Sequence, residues 1–369
     1  MNMNDLLPGL PTIFPFYHTV SDKKLAHIRH LYHYRSVREF EQELDFFLKH
    51  YEPVEPGQLI KEGTISGKKQ FLLTFDDGFA EIYHVIAPLL TKKGIPAIFF
   101  LNTGFIDNKD LFYRCKASIL AEYADAGRLA KAGKYQSPQK TDAIEPPEKQ
   151  DIHETFRKLD TPEKQDMHET FRKLDTPEKK DIHETFRRLD TPEKVKRFVL
   201  GISWNDQHWL DEMAASLEID FQEYLKKHQP YLTAAQIKEL LKKGFHVGAH
   251  SVSHADFRAI PFTEQWNQII TSLDEIRERF QVDYRYFSFP FTDHGMSGKL
   301  LEQLHDPQEN GCDLSFGCAG MKTDSSPFHF QRIPMEDYRL SARHIIFIER
   351  LSYLLKKPLG KHRVVRRGY

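Results

Sequence analysis

The sequence has 369 residues, a length typical of two domains or of one barrel with a long insertion. Hydrophobic residues make up 40% and aromatic residues 12%, which allows a large core and excludes a chain that is disordered throughout. Lys and Arg number 52 against 53 Asp and Glu, so the net charge of -1 predicts no nucleic-acid partner. Cys115, Cys312 and Cys318 have no CxxC spacing, which argues against a disulfide scaffold and against a zinc site of cysteine ligands.

The first hundred residues alternate between strand and helix patterns. The first helix is capped by Ser36, and its apolar residues Phe40, Leu44 and Phe47 recur at helical spacing through His50. A second helix pattern is closed by Gly94. Strands are predicted at residues 12–17, 70–75 and 96–101, and helices at residues 36–50 and 81–93. This alternation is typical of a parallel sheet or barrel.

The alternation resumes near residue 234 and continues toward the C-terminus. Helices are predicted at residues 234–243, 263–280 and 341–356, and strands at residues 245–249, 283–291, 313–316 and 331–335. A basic cluster follows, which we interpret as a solvated tail, with docking to an anionic polymer or to lipid headgroups as the alternative. Its members are Lys361, Arg363, Arg366 and Arg367.

Between these halves lies an internal repeat with a period of 15 residues, in three copies at 151–165, 166–180 and 181–195. Thr161, Thr176 and Thr191 each precede a proline, which predicts short separate helices that begin there. Each copy carries His-Glu, half of a zinc-protease motif, without its second histidine. Three near-identical copies cannot each occupy one catalytic geometry. We therefore predict solvated helix faces, with a spacer or a surface that binds a protein partner as the alternative.

Two adjacent carboxylates, Asp76 and Asp77, end the predicted strand at 70–75 and are followed by Gly78. Buried neighbouring carboxylates repel each other, so the pattern indicates a site in which a cation compensates one of them. Gly78 gives the turn conformational freedom, so both carboxylate side chains can reach one pocket. The alternative is a turn that caps a helix.

Two histidines, His250 and His254, follow the predicted strand at 245–249. Their spacing places both imidazoles on one face of a helical turn, although a solvent-exposed pair has the same spacing. Both this pair and the aspartates follow buried strands, and α/β folds place their active sites at the carboxyl ends of strands. One carboxylate and two imidazoles leave positions for water and substrate, which predicts a catalytic metal site.

These motifs resemble a known family. The segments TFDDGF at 74–79 and HSVSH at 250–254 are similar to the first two motifs of the polysaccharide deacetylases, the NodB-homology enzymes of carbohydrate esterase family four. The segment at 287–291 resembles the third motif. The resemblance implies a distorted (β/α)7-type barrel formed by residues 1–110 and 230–369. Residues 111–229 then form a mostly helical insertion, with the tandem repeats at 151–195.

The resemblance also implies roles for the site residues. By position, Asp76 is the catalytic base, and the backbone N–H of Phe291 binds the oxyanion. The divalent metal, with zinc as the default, is held by Asp77, His250 and His254.

The sequence departs from the family pattern in two places. Ser288 stands where many members carry an arginine, and the late Leu-x-His motif that supplies the general acid is not evident. Arg332 is therefore the candidate partner of Asp76, with a surface salt bridge as the alternative. His18 is the candidate that faces the pocket, with a backbone-bonded histidine as the alternative. His329 is a second candidate for the acid.

The predicted activity is metal-dependent removal of acetyl groups from an N-acetylated sugar or polysaccharide. O-acetyl sugars, non-sugar amides, or a weakly active scaffold whose repeats bind a protein partner are the alternatives. A serine hydrolase is excluded because no G-x-S-x-G elbow is present. The N-terminus has no signal-peptide pattern, and no apolar run is long enough for a transmembrane segment. We therefore expect a cytoplasmic location and a glycan or glycan-precursor substrate.

Overall fold

The computed structural model describes residues 12–62, 69–125, 189, 191–309, 311–336 and 339–366. The chain divides into two compact units, Met1–Lys116 with Asp220–Tyr369, and Ala117–Ile219. The first two repeats and most of the third lie outside the described residues. The insertion boundaries at 111 and 229 stay a prediction.

A parallel sheet forms the centre of the first unit. Its strands are β1 (Pro15–Tyr17), β4 (Leu73–Phe75), β5 (Ala97–Leu101), β6 (His246–Ala249), β7 (Tyr286–Ser288), β8 (Leu314–Gly317), β9 (His329–Gln331) and β10 (Ile333–Pro334). They follow the order β10-β1-β4-β5-β6-β7-β8-β9. A separate parallel pair is made by β2 (Glu52–Pro53) and β3 (Gln70–Phe71).

The sheet curls into a barrel that closes through one broken strand. β9 pairs with β8 and β10 pairs with β1, and only Arg332 lies between these two short strands. The rings of Phe100 on β5 and Phe316 on β8 are 5.4 Å apart, although β6 and β7 separate these strands in the sheet. In a flat sheet three strand spacings would separate them by about 14 Å. The expected (β/α)7-type barrel is thus confirmed.

Helices surround the sheet and form the described part of the second unit. In chain order they are α1 (Val37–His50), α2 (Pro56–Glu62), α3 (Ala87–Lys93), α4 (Tyr113–Asp125), α5 (Pro192–Gly201), α6 (His208–Ser216), α7 (Phe221–His228), α8 (Ala234–Lys242), α9 (Phe262–Phe280), α10 (Gly298–Leu304) and α11 (Ala342–Lys356). Across the described ranges, no helix has the length and apolar character that a membrane span requires.

Local sequence explains the helix ends. Ser36 caps α1 as predicted, and it forms a capping box with Glu39. Gly94 ends α3 in the left-handed conformation, and a π-helical turn at Ile82–Ile86 precedes that helix. Thr191 caps α5 by accepting a hydrogen bond from the Lys194 N–H, so the one described Thr-Pro junction begins a helix as expected.

Several predicted strands are shorter than expected. The strand predicted at 12–17 covers only Pro15–Tyr17, and the strand predicted at 70–75 is divided at Leu72 into β3 and β4, which belong to different sheets.

The strand predicted at 283–291 covers only Tyr286–Ser288, because Pro290 has no N–H for the ladder and Phe291 has a left-handed φ of 55°. The strand predicted at 331–335 is interrupted at Arg332, where the chain changes its pairing partner from β8 to β1. Both interruptions occur where residues approach the polar site described below.

Gly248 provides a test of the packing between strands. A Cβ atom at this position would lie 2.5 Å from the Phe100 ring and 2.8 Å from the Tyr286 carbonyl oxygen. We expect Gly248→Ala to lower the free energy of unfolding by about 1–3 kcal/mol because the barrel must shift to admit one methyl group. Denaturant unfolding measures this change.

Gly57, in α2, serves as the matched control because a Cβ atom there meets nothing within 4 Å. Gly57→Ala should leave stability unchanged or raise it by about 0.4–1 kcal/mol, through a less flexible unfolded chain. Equal effects of the two substitutions would contradict the packing described for Gly248.

Candidate active site

The carboxyl ends of the barrel strands bring together residues that are far apart in the sequence. Asp76 and Asp77 follow β4, His250 follows β6, and His254 lies four residues further along. All four are 3% exposed or less. Buried polar groups must be paired or bind a cation, so the partners of each one define what the site can do.

Asp76 is paired with Arg332. The Arg332 Nη1 and Nη2 atoms each donate to one carboxylate oxygen of Asp76 at 2.7 Å, a bidentate geometry. Burial raises the pKa of Asp76, but the Arg332 charge outweighs it and the pKa stays below its ordinary value. Asp76 is therefore ionised at neutral pH, and Arg332 is no surface salt bridge.

Every N–H of the Arg332 guanidinium has an acceptor. Besides Asp76, it donates to the Gly317 carbonyl, to Thr74 Oγ1 and to Ser288 Oγ, which is 2.7 Å away. The group also lies over the Phe16 ring at 4.3 Å. Ser288 stands where the family resemblance led us to expect an arginine. Its hydroxyl instead accepts from the guanidinium of Arg332, which lies at the break between β9 and β10.

Asp77 faces the two histidines with one oxygen. Its Oδ1 atom lies 3.1 Å from His254 Nε2 and 3.6 Å from His250 Nε2, yet no donor is aligned to form a hydrogen bond with it. Its Oδ2 atom accepts from the Tyr32 hydroxyl at 3.0 Å. The ligand atoms of Asp77, His250 and His254 all lie within 4.8 Å of one another, so this group can hold a metal ion.

The histidines are presented by a loop, and the predicted helical turn is wrong. Residues 250–254 are not helical, and Ser251 and His254 have left-handed φ values of 68° and 55°. Ser251 Oγ accepts from the His254 N–H, and Gln268 Oε1 accepts from the N–H groups of Val252 and Ser253. These bonds replace the missing helical ones and fix the loop.

His250 is oriented for a cation. Its Nδ1 atom is 2.8 Å from the Ser288 carbonyl oxygen, which requires the proton on Nδ1 and leaves the Nε2 lone pair directed at the site. Burial lowers the pKa of His250 to about 4, so the ring is neutral at neutral pH.

Backbone strain is concentrated at this site. Asp77, Ser251, His254 and Phe291 all have φ values between 55° and 70°, which is uncommon for residues other than glycine. Such conformations persist where the surroundings impose them, and they cluster at functional sites. Because Asp77 has this conformation, the neighbouring carboxylates of Asp76 and Asp77 contact different partners.

His18 lies at the end of β1 with its side chain 17% exposed. Its Nδ1 atom is 2.5 Å from Glu336 Oε2, and its ring stacks on Tyr32 with centroids 3.8 Å apart. Burial lowers the pKa of His18, but Glu336 raises it more, to about 9, so the ring is protonated at neutral pH. His329 instead bonds Ser315 and Asp293.

Phe291 adjoins the metal-ligand candidates. Its ring meets the His254 ring edge-on, with centroids 4.5 Å apart. Its carbonyl accepts from the Cys318 thiol at 3.2 Å. Asp293, two residues after Phe291, fixes the position of the loop that contains Phe291.

The Asp293 carboxylate accepts from His329 Nε2 at 3.0 Å, from Gln331 Nε2 at 2.7 Å and from the Arg366 guanidinium. Arg366 also donates to Asp324 at 2.6 Å, so it bridges two buried carboxylates. Asp293, Asp324 and His329 form a second group with metal-ligand geometry, but here Arg366 supplies the positive charge. For Arg366 the expected solvated tail is wrong.

Sequence reasoning missed several of these residues. Glu336 comes shortly after β10, the last strand, just as His18 follows β1. This position after a strand could have identified Glu336 as a candidate site residue. Tyr32 lies in a segment without regular alternation, and no sequence signal marks it. Arg366 was recognised only as a member of the basic cluster, without its buried partners.

The polysaccharide deacetylase family matches residues 64–168 and 161–304, which together span about two-thirds of the chain. The chain belongs to the polysaccharide deacetylase family. This deacetylase is a hydrolase of carbon–nitrogen amide bonds, and a carbohydrate substrate is consistent with its family. No curated protein matches the sequence.

The deacetylase is also similar to solved structures at low identity. PplD, a deacetylase of Streptococcus pyogenes in complex with acetate, is 12% identical with a TM-score of 0.49, covering 92% of this chain and 98% of that chain. IcaB from Ammonifex degensii is 16% identical with a TM-score of 0.48, covering 93% and 97%. The BpsB deacetylase domain from Bordetella bronchiseptica is 13% identical with a TM-score of 0.42, covering 88% and 96%.

Arg366→Met tests the anchor of the Phe291 loop. The substitution leaves the carboxylates of Asp293 and Asp324 buried without their guanidinium, and breaking a buried pair costs about 3–5 kcal/mol. We expect a loss of that size in the free energy of unfolding, measured by denaturant titration at pH 7.

The exposed Arg363 is the control, since its substitution by Met removes the same charge from the same segment. A surface change of this kind should stay within about 0.5 kcal/mol. Similar losses for both variants would show that Arg366 does not act through the buried carboxylates.

Proposed function

We propose that this deacetylase removes acetyl groups from an N-acetylated sugar or polysaccharide, with a divalent metal held by Asp77, His250 and His254. The observation that carries the proposal is the buried Asp77 Oδ1 atom, which lacks an aligned donor and faces two imidazole Nε2 atoms. A carboxylate oxygen and two imidazole nitrogens are donors that suit zinc and other first-row ions.

Outer hydrogen bonds orient two of the metal-ligand candidates. The Ser288 carbonyl fixes the tautomer of His250, and the Tyr32 hydroxyl holds Asp77 Oδ2, which turns Oδ1 toward the histidines. Such outer hydrogen bonds orient metal ligands in known sites. A divalent ion bound here would polarise the acetyl carbonyl and lower the pKa of a bound water.

Asp76 is the proposed base. It is ionised, lies one residue from a metal-ligand candidate, and keeps lone pairs beyond those that accept from Arg332. It takes a proton from the attacking water as the water oxygen bonds to the carbonyl carbon. Arg332 positions this carboxylate and keeps it charged.

His18 is the proposed acid. Glu336 holds its Nδ1 side and keeps the ring protonated, so the Nε2 proton is available at the more exposed edge of the site. When the carbon–nitrogen bond breaks, this proton passes to the leaving amine, and acetate and a free amino sugar result. Phe291, whose ring packs against the His254 ring, is the proposed donor to the oxyanion through its backbone N–H.

Metal content and acetate release, measured in the same samples, test the proposal. Wild-type protein should carry about one divalent ion per chain and release acetate from an N-acetylglucosamine oligomer. His250→Ala/His254→Ala should lose both the ion and the activity. Asp76→Asn should keep the ion and lose about 10²–10⁴-fold in rate, since only the base is removed.

The exposed His344 is the control, and His344→Ala should change neither quantity. Acetate release from an O-acetylated sugar or an N-acetylated peptide, but not from the oligomer, would overturn the assigned substrate. Protein without metal or activity after addition of zinc, cobalt or nickel would overturn the metal-dependent mechanism.

The pH profile tests the role of Arg332. Because Arg332 lowers the pKa of Asp76, Arg332→Gln should raise that pKa, and the acid limb of kcat/KM should move to higher pH by about 1–3 units. The rate at the optimum should also fall about 10²-fold, because the carboxylate loses its fixed position.

Arg332→Lys keeps the positive charge but loses the bidentate geometry. It should therefore shift the acid limb of kcat/KM less than Arg332→Gln does. The buried Arg350, which lies over Tyr51, is the control for general damage to the core. Arg350→Gln should lower stability and leave the acid limb in place. An unmoved limb in Arg332→Gln would contradict the role of Arg332.

A further inference from the structure

The C-terminal helix α11 has apolar residues on two opposite faces. One face packs against the protein through Ala342, Ile345, Ile346 and the aliphatic part of Arg350. The outward face carries Phe347, Leu351 and Leu355 at four-residue spacing, and Leu359 continues the row just beyond the helix. We call these four residues the α11 stripe.

The α11 stripe is well exposed, with fractions of 42% for Phe347, 45% for Leu351, 67% for Leu355 and 69% for Leu359. A surface helix of a globular protein normally presents polar residues to water. A row of adjoining large apolar side chains is therefore typical of a surface that contacts another molecule.

Exposed cations flank the stripe along the chain. Arg343 is exposed at the start of α11, and Lys357, Lys361 and Arg363 are exposed beyond its end. The sequence contains no Asp or Glu from residue 350 onward. The one acidic residue of α11, Glu349, turns toward the protein and accepts from the Met321 N–H.

This combination matches one class of partner. An anionic lipid surface offers negative headgroups to the lysines and arginines, and an apolar boundary to the phenylalanine and leucines. An uncharged acetylated glycan offers neither, and a purely anionic polymer offers no apolar contact. We propose that the α11 stripe and its flanking cations dock this protein on membranes that contain anionic lipids.

The bound state is peripheral. The stripe lies parallel to the lipid surface, its side chains enter the boundary between headgroups and acyl chains, and the exposed cations lie at headgroup level. The docking surface contains none of the proposed catalytic or metal-binding residues, and docking on a membrane therefore does not depend on the proposed chemistry.

Vesicle co-sedimentation of the full chain tests the proposal. We would compare phosphatidylcholine vesicles with vesicles that also contain phosphatidylglycerol, at low and high salt. Wild-type protein should sediment at least tenfold more with the anionic vesicles, and high salt should weaken the binding because it screens the charges.

Two double variants separate the apolar and charged contributions. Leu351→Gln/Leu355→Gln should reduce binding to anionic vesicles at least tenfold and leave the thermal unfolding temperature and deacetylase activity unchanged. Lys357→Glu/Lys361→Glu should reduce it at least tenfold as well. Its control is Lys226→Glu/Lys227→Glu, which makes the same charge change on exposed residues of α7 and should bind as wild type.

Three outcomes would overturn the proposal. The first is wild-type protein that does not sediment with anionic vesicles. The second is a loss of binding in the α7 control equal to that in the Lys357 and Lys361 variant, which would indicate a general charge effect. The third is a dimer in analytical ultracentrifugation that Leu351→Gln/Leu355→Gln abolishes, which would assign the stripe to a second copy of the chain.

Discussion

Two neighbouring carboxylates buried at the end of one strand set the central constraint on this structure. Asp76 and Asp77 repel each other and have lost most of their contact with water, so each needs a separate source of positive charge or donors. The left-handed backbone at Asp77 sends the two side chains to different partners. Arg332 compensates Asp76, whereas Asp77 faces two imidazoles. Two identical side chains thus have different electrostatic surroundings, which is the basis for proposing that one acts as a base and the other as a metal ligand.

The same constraint explains why the barrel closes through a broken strand. Arg332 lies at the break, where the backbone leaves β8 and joins β1, and from there its side chain enters the space between Thr74 and Ser288. A continuous strand would hold its residues in regular pairing along one neighbour. The small side chain of Ser288 leaves room for the guanidinium of Arg332. Arg332 therefore lies where the barrel closes and also balances the charge of Asp76.

Much of the fold could be predicted from the sequence because the signals are local. Apolar spacing, the Ser36 cap and strand-ending polar residues lie within a few positions of one another. They indicated a parallel sheet or barrel and placed Asp76, Asp77 and His250 after buried strands, whereas the barrel type followed from the family resemblance. The partners that hold these residues come from distant segments. Glu336 meets His18 across 318 positions, and Arg366 meets Asp293 across 73. The loop geometry of His250 and His254 depends on Gln268 and Asn102, which a pattern of two histidines does not contain.

The position of the closing elements has a consequence for the order in which the protein assembles during synthesis. β1 is made first but finds its second neighbour, β10, only when residues 333–334 have left the ribosome. Arg332, Glu336 and Arg366 appear in the same late stretch of chain. Until then β1 presents an open edge, and the carboxylates of Asp76, Asp293 and Asp324 lack their guanidinium partners. The nascent chain can therefore build most of its sheet early, but all three carboxylates have their guanidinium partners only after residue 366 has been synthesised.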